Sequence, residues 1–145
     1  MKCVIQRVRS ASVEVGGEVV SRIATGMLVL AAVEKGDTEQ QMLDAAKKIR
    51  ELRIFSDDSG KMNRDVTEAG GAILAVSQFT LAGSLERGRR PGFERAEEPE
   101  KARSMFEVFV RALGSTGIEI QTGRFGEMML VALENDGPVT FIYET

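Results

Sequence analysis

Two runs of the chain, residues 27–33 and residues 72–76, are apolar throughout. A strand or helix with one solvated face would alternate between apolar and polar residues. An unbroken apolar run of this length is instead typical of a strand that is covered on both faces. The two runs therefore predict the buried strands around which the rest of the chain must fold.

Other strand patterns lie near the two ends of the chain. Residues 12–23 form two β-patterned runs around Gly16-Gly17, which predicts a hairpin. Near the C-terminus, residues 135–138 read Asn-Asp-Gly-Pro between two apolar runs, and residues 139–143 have a strand pattern. Taken locally, that segment favours a turn that closes a second hairpin.

Helical spacing of apolar residues occurs twice. The first predicted helix follows Thr38, which forms a capping-box pattern with Gln41. The second begins at Pro99, a residue favoured in a first helical turn, and ends at Gly114. These helices do not alternate regularly with the strands, which argues against a doubly wound α/β fold. We expect one α+β domain over residues 1–145, with a mainly antiparallel sheet curled into a barrel-like core and two outer helices.

The chain contains no histidine. This absence excludes Ser-His-Asp and Cys-His catalysis and histidine-based zinc sites. Cys3 is the one cysteine, so it forms no internal disulfide, and its place in a strand pattern favours a small buried side chain. No apolar run approaches the ~20 residues that cross a bilayer. We expect a cytoplasmic protein that has no membrane segment.

Composition limits the partners less strongly. The chain has 145 residues and a net charge of -3, which argues against indiscriminate coating of nucleic acid but not against a local basic patch. Residues 85–95 contain four arginines and one phenylalanine. Such a loop can bind phosphate and stack bases, and it can equally be a solvated loop.

Two polar clusters are candidates for chemistry. Ser77, Gln78, Phe79 and Thr80 follow a buried strand and supply hydroxyl, amide and backbone N–H groups that can orient water or bind an oxyanion. Their spacing alone indicates only polar residues that form hydrogen bonds at the end of a strand. The segment 135–138 offers a glycine that permits close backbone approach and a proline that can hold a cis bond, although a plain turn is favoured.

Several motifs in order make the chain resemble the D-aminoacyl-tRNA deacylase family nearly from end to end. The matching segments are Ile5-Gln6-Arg7-Val8, Ala11-Ser12-Val13, Gly60-Lys61-Met62-Asn63, Ser77-Gln78-Phe79-Thr80-Leu81, Arg90-Pro91 with Phe93, Arg124-Phe125 and Asn135-Asp136-Gly137-Pro138-Val139-Thr140. The resemblance implies hydrolysis of the ester between a D-amino acid, or glycine, and the 3′-terminal adenosine of tRNA. It also implies a homodimer that needs no metal or other cofactor and that recycles mischarged tRNA.

The resemblance further assigns roles to residues. Gly137 and Pro138 would form a cis pair that reaches into the partner subunit's pocket, with Arg7 fixing the motif. The segment 77–80 would surround the terminal adenosine and the ester, and Met129 and Phe125 would bind substrate. Because nothing near Thr80 is expected to deprotonate its hydroxyl, we expect Thr80 to position groups rather than to act as the nucleophile.

Two positions depart from the family pattern. Gly92 stands where a serine usually follows the Arg-Pro pair, and Met128 stands where an acidic residue usually precedes the methionine matched by Met129. The alternative function is a non-catalytic RNA-binding module that uses the arginines of residues 87–95. A hydrolase would release D-tyrosine from D-tyrosyl-tRNA, whereas a binding module would retain the tRNA and release nothing.

Overall fold

The computed structural model describes residues 1–86 and 88–145. Its elements, in chain order, are β1 (Lys2–Val15), β2 (Glu18–Ile23), β3 (Gly26–Ala32), α1 (Glu39–Arg50), β4 (Phe55–Ser56), β5 (Met62–Arg64), β6 (Ala72–Ser77), a 3₁₀ turn (Phe79–Ala82), α2 (Pro99–Leu113), a second 3₁₀ turn (Gly114–Thr116), β7 (Ile120–Thr122) and β8 (Leu130–Glu144). In the sequence-based predictions Arg87 belongs to the arginine-rich loop, and it lies outside the described residues.

A long first strand organises the main sheet. Along one edge, β1 pairs with β2 through residues 11–15 and with β3 through residues 2–8, and along the other edge it pairs with β8. The sheet continues from β3 to β6 and then to β7. It curls into a nearly closed barrel, and β4 and β5 form a separate two-stranded ribbon.

Both predicted buried strands are confirmed. In β3, Met27 and Val29 pack in a core shared with α1 and α2, while Leu28 packs in a second cluster inside the barrel. In β6, Ile73 belongs to the first core and Leu74 to the second. Because alternate side chains of a strand point to opposite faces, a strand between two cores must be apolar at successive positions.

The sheet is mainly antiparallel, as predicted, but it also contains parallel pairings. The three pairings of β1 are antiparallel, but β3–β6 and β6–β7 are parallel. Parallel strands need a long crossover connection, and here α1 and α2 provide it. The apolar character of β3 and β6 is that of parallel strands covered by helices on one face.

The predicted C-terminal hairpin is wrong. Residues 130–144 form one continuous strand, β8, that follows β1 along its length. Asn135 pairs with Val8 and Thr140 pairs with Gln6, so residues 136–139 stand opposite Arg7 alone. The turn-forming residues therefore make a bulge within one strand, which β1 holds in register on both sides.

The predicted start of α1 and both predicted ends of α2 are confirmed. Thr38 caps α1 in a complete capping box with Gln41, and Pro99 starts α2, whose C-cap is Gly114. Both helices bury an apolar stripe against the outer face of the sheet. Neither of the helices in the described part of the chain is long and apolar enough to cross a membrane.

Candidate active site

A cavity of about 540 Å³ opens where β6 ends. Its lining combines five of the sequence-predicted site residues with seven others: Val33, Ser77, Gln78, Phe79, Glu97, Pro99, Ala102, Phe125, Gly126, Glu127, Met129 and Val131. The lining comes from the end of β6, the first turn of α2, the loop after β7 and the start of β8. Segments distant in sequence thus build one largely apolar pocket with a few polar groups, as in small-molecule sites.

The parallel pairing of β3 and β6 places the polar strand end at this cavity. Ser77 pairs with Ala31, and the Gln78 N–H donates a hydrogen bond to the Ala31 carbonyl oxygen at 2.8 Å. Ser77 and Gln78 are half-buried, whereas the preceding residue Val76 is fully buried. A rigid buried strand therefore delivers these two side chains to the rim of the core.

Thr80 lies beside the cavity rather than in its lining. It sits in the 3₁₀ turn Phe79–Ala82 with an exposed side chain, and Gln78 Nε2 donates a hydrogen bond to its hydroxyl oxygen. The Thr80 hydroxyl oxygen thus has a hydrogen-bond donor, and this contact involves no acid or base. The contact links Thr80 to Gln78, which does line the cavity.

Phe79 forms an exposed aromatic wall. The side chain is 56% exposed, which is unusual for phenylalanine, and its ring centroid lies 5.2 Å from that of Phe93. Phe93 comes from the arginine-rich loop, which is closed by paired backbone hydrogen bonds between Ser84 and Gly92. The loop is thereby fixed next to the cavity.

Phe125 is the second aromatic residue of the cavity lining. The Arg103 guanidinium lies over its ring, with Cζ 4.7 Å from the centroid, and Phe106 packs near it with a centroid separation of 6.3 Å. Met129 is half-buried and packs against the interior cluster of the barrel. A Cβ added at Gly123 would come within 2.5 Å of the Met129 sulfur, so glycine there leaves room for Met129.

Two carboxylates in the lining, Glu97 and Glu127, were missed by sequence reasoning. The Glu97 side chain is only 7% exposed, and its Oε2 accepts a hydrogen bond of 2.6 Å from Lys101 Nζ. This hydrogen bond, together with one from the Glu98 N–H, holds the pKa of Glu97 below its usual range. Glu97 is therefore an anion at neutral pH and a weak base. Because Glu97 stands in a charged run before α2, no sequence pattern marks it as a site residue.

The bulge of β8 is fastened to β1 by side chains. Arg7 Nε donates to the Asp136 carbonyl oxygen at 3.0 Å, and Arg7 Nη1 donates to the Ile54 carbonyl oxygen. Asn135 Nδ2 donates to the carbonyl oxygens of Arg7 and Val139, both at 3.1 Å. These contacts hold the two ends of the bulge in place.

The Gly137–Pro138 peptide at the tip of the bulge is cis, and both residues are exposed. Of the described residues that line the 540 Å³ cavity, none is Arg7, Gly137 or Pro138. The structure therefore gathers Ser77, Gln78, Phe79, Phe125 and Met129 in one pocket of the chain and presents the Gly-Pro pair on a separate surface.

Both departures from the family pattern lie outside the cavity lining. Met128 is 92% exposed and stands outside the cavity lining. Gly92 takes part in the bridge to Ser84, and a Cβ added there would meet the end of the flexible Glu94 side chain. Neither position alters the pocket formed by the strand end.

Comparisons with known proteins agree over the whole chain. The family model for D-Tyr-tRNA(Tyr) deacylase matches residues 4–144. A D-aminoacyl-tRNA deacylase of Pelobacter propionicus is 56% identical, covering 99% of this chain and 99% of its own. One of Thermus aquaticus is 49% identical, covering 100% of this chain and 95% of its own.

Solved structures share the fold. A protein described as "c-Myc DNA Unwinding Element Binding Protein" superposes with a TM-score of 0.94 at 40% identity, over 100% of this chain and 99% of that chain. A eukaryotic protein described as a probable D-amino acid tRNA deacylase superposes with a TM-score of 0.82 at 16% identity, over 98% and 97% of the two chains. At 16% identity, the similarity to the second structure shows a shared fold and nothing more.

Proposed function

The chain belongs to the D-Tyr-tRNA(Tyr) deacylase family, and on this premise we propose that it hydrolyses the ester between a D-amino acid, or glycine, and the 3′-terminal adenosine of tRNA. The observation that carries the proposal is the single cavity that unites Ser77, Gln78, Phe79, Phe125 and Met129. Its aromatic walls suit a nucleoside, and its polar strand end suits an ester.

The chemistry requires little from the protein beyond positioning. Water attacks the ester carbonyl carbon, the bond to the ribose oxygen breaks, and that oxygen takes a proton. An aminoacyl ester is already activated, and the neighbouring ribose hydroxyl can assist the transfer. A pocket that supplies oriented donors and excludes bulk water can therefore support the reaction without histidine.

Thr80 acts in this scheme as a positioning residue. Its hydroxyl is exposed and accepts a hydrogen bond from Gln78, and no base lies against it among the contacts of the described residues. A threonine nucleophile would need an adjacent general base. The Thr80 hydroxyl instead orients the Gln78 amide, and the Thr80 backbone N–H is available as an oxyanion donor.

A second copy of the chain completes the site. Strand β8 pairs only with β1 in the described part of the chain, which leaves its outer edge unpaired. Phe141 and Ile142 are adjacent, so they point to opposite faces, yet they are 42% and 70% exposed. Leu130 and Leu133 on the same strand are also exposed. A long apolar edge strand of this kind needs a cover, and a homodimer supplies one.

Chiral selection follows from this arrangement. The Gly137–Pro138 pair lies on the same exposed strand and outside the cavity of its own chain. In the dimer, its carbonyl oxygens face the α-amino group of a substrate bound in the partner's pocket. A rigid backbone there rejects an L-side chain by collision and accepts D-residues and glycine. Such selection serves homochirality in translation.

The implied partners are the 3′ end of aminoacyl-tRNA and a second copy of the chain. We propose a cytoplasmic location, where aminoacyl-tRNA is used, and a reaction that requires no metal or other cofactor. Recycling of mischarged tRNA is then a proofreading step of translation.

The test is the release of tyrosine from tRNA charged with D-tyrosine or with L-tyrosine, each in the presence of EDTA. The proposal predicts rapid release of D-tyrosine, little release of L-tyrosine and no effect of EDTA. Retarded migration of tRNA without release of either amino acid would instead support an RNA-binding module built on the arginine-rich loop. Equal release of both amino acids would contradict the chiral selection.

A further inference from the structure

A second groove of about 330 Å³ adjoins the candidate active site at Phe125. It is lined by Arg103, Phe106, Glu107, Val110, Arg111, Thr122, Gly123 and Phe125. Phe125 is common to both linings, so the two cavities meet at this residue. The reaction proposed above does not use this groove.

The charges of the groove follow the helical repeat of α2. Arg103, Glu107 and Arg111 are each four residues apart, so they share one face of the helix. All three side chains are exposed, and among the described residues none of them forms an ion pair within 4.0 Å. A carboxylate between two guanidinium groups therefore lines the groove, and Arg103 also donates a hydrogen bond of 3.4 Å to the Phe125 carbonyl oxygen.

We propose that this groove binds the cytosine nucleotide that precedes the terminal adenosine of the tRNA 3′ end, a proposal that rests on the function proposed above. Single-stranded bases are bound by stacking on aromatic or guanidinium planes and by hydrogen bonds to their Watson–Crick edges. Here the Arg103 guanidinium, which lies over the Phe125 ring, provides the stacking surface. Glu107 accepts from the exocyclic amine of cytosine, and Arg111 donates to its ring acceptors or to the adjoining phosphate.

The shared ring gives the reason for this occupant. An adenosine bound in the first cavity contacts Phe125, and the chain of the nucleic acid must leave past the cavity rim. The groove that shares Phe125 with this cavity is an adjoining concave surface that contains guanidinium groups. Single-strand binding proteins commonly stack successive bases on aromatic and arginine side chains along such a path.

Glu107 makes the groove selective for cytosine over uracil. Uracil carries a carbonyl oxygen where cytosine carries the amine, so it would present an acceptor to the Glu107 carboxylate. The carboxylate then loses a hydrogen bond and meets a partial negative charge. The Glu107→Gln variant, whose amide both donates and accepts, tolerates either base.

The experiment compares three substrates: a D-tyrosyl minihelix ending in CCA, the same minihelix ending in CUA, and 3′-O-D-tyrosyl-adenosine. For the unaltered protein we expect KM to rise about tenfold from CCA to CUA. Glu107→Gln should reduce this ratio to about one, while Arg111→Ala should raise KM for both minihelices. Arg22→Ala, an exposed arginine outside both cavities, is the matched control.

The adenosine ester separates the two proposals because it lacks the cytosine. All variants should hydrolyse it at the rate of the unaltered protein. Failure of the unaltered protein to hydrolyse any of the three substrates would refute the deacylase function itself. Two results would overturn the cytosine groove alone. The first is hydrolysis of this ester together with equal KM values for the CCA and CUA minihelices. The second is an effect of Glu107→Gln on hydrolysis of the adenosine ester that is as large as its effect on hydrolysis of the CCA minihelix.

Discussion

Arg7 Nε lies 3.0 Å from the backbone oxygen of Asp136 and 2.9 Å from Oδ2 of the Asp136 carboxylate. One side chain of β1 thus holds both the backbone and the carboxylate of the residue that opens the bulge in β8. The Arg7 side chain is 12% exposed, so water competes weakly for these contacts. The position of Gly137–Pro138 therefore depends on a residue far away in sequence.

Arg7→Ala should destabilise the protein by about 1–3 kcal/mol, because it leaves hydrogen-bond acceptors around the bulge without their donor. It should also weaken discrimination against L-tyrosyl-tRNA. Denaturant unfolding and the two deacylation rates check both effects. Arg9→Ala is the control, since Arg9 is 77% exposed and 3.6 Å from Asp136 Oδ1, and we expect it to change stability by less than about 1 kcal/mol. Equal effects of the two substitutions would argue against a special role for Arg7.

Thr80→Ala should retain substantial deacylation, with a loss of about tenfold at most, because only an oriented contact to Gln78 disappears. Removal of a true nucleophile lowers the rate by on the order of 10⁶-fold in a serine protease. Single-turnover hydrolysis of D-tyrosyl-tRNA, with binding measured in parallel, distinguishes the cases. Nearly complete loss of hydrolysis with intact binding would make Thr80 the nucleophile.

The pKa of Glu97 should rise toward its ordinary value of 4.5 in Lys101→Met, because the main cause of its lowering is the hydrogen bond from Lys101. A carboxylate with a lowered folded-state pKa contributes stability above its ordinary pKa and loses that contribution as the pH falls through the folded value. The free energy of unfolding near neutral pH should therefore not change with the protonation of Glu97. An NMR titration of the Glu97 carboxyl carbon checks the shift, and identical curves for both proteins would contradict it.

Cys3 should resist thiol reagents in the folded protein. Burial raises the pKa of its thiol to about 12, and the residue is 0% exposed, so neither thiolate nor access is available at pH 8. We expect no reaction with a disulfide reagent until denaturant is added, and then one thiol per chain. Rapid labelling under native conditions would show that the N-terminal half of β1 opens.

Much of the fold was predictable because the local sequence patterns favour the same helices and strands that tertiary packing stabilises. The capping box at Thr38, the start of α2 at Pro99 and the buried strands β3 and β6 all follow from sequence patterns. The resemblance to the deacylase family is likewise confirmed by the family match over residues 4–144. Several ordered motifs are more specific than any one of them.

The remaining features depend on contacts between distant segments. Asn-Asp-Gly-Pro has the composition of a turn, and only the pairing of β8 with β1 on both sides turns it into a bulge. Glu97 enters the cavity because α2 packs beside the end of β6, a relation without a local signature. The parallel pairing of β3 with β6 is also set by the crossover through α1 rather than by strand composition.

In the proposed dimer, the pocket of one chain works with the Gly137–Pro138 motif of the other. A purified heterodimer tests it, with one subunit carrying Ala102→Trp, which fills the cavity, and the other carrying Pro138→Ala. The one open pocket of this heterodimer belongs to the subunit with Pro138→Ala. If the site is shared, that pocket works with the unaltered motif of the Ala102→Trp subunit. The heterodimer should then show the D-over-L selectivity of the unaltered protein on tyrosyl-tRNA. Selectivity equal to that of the Pro138→Ala homodimer would contradict the shared site.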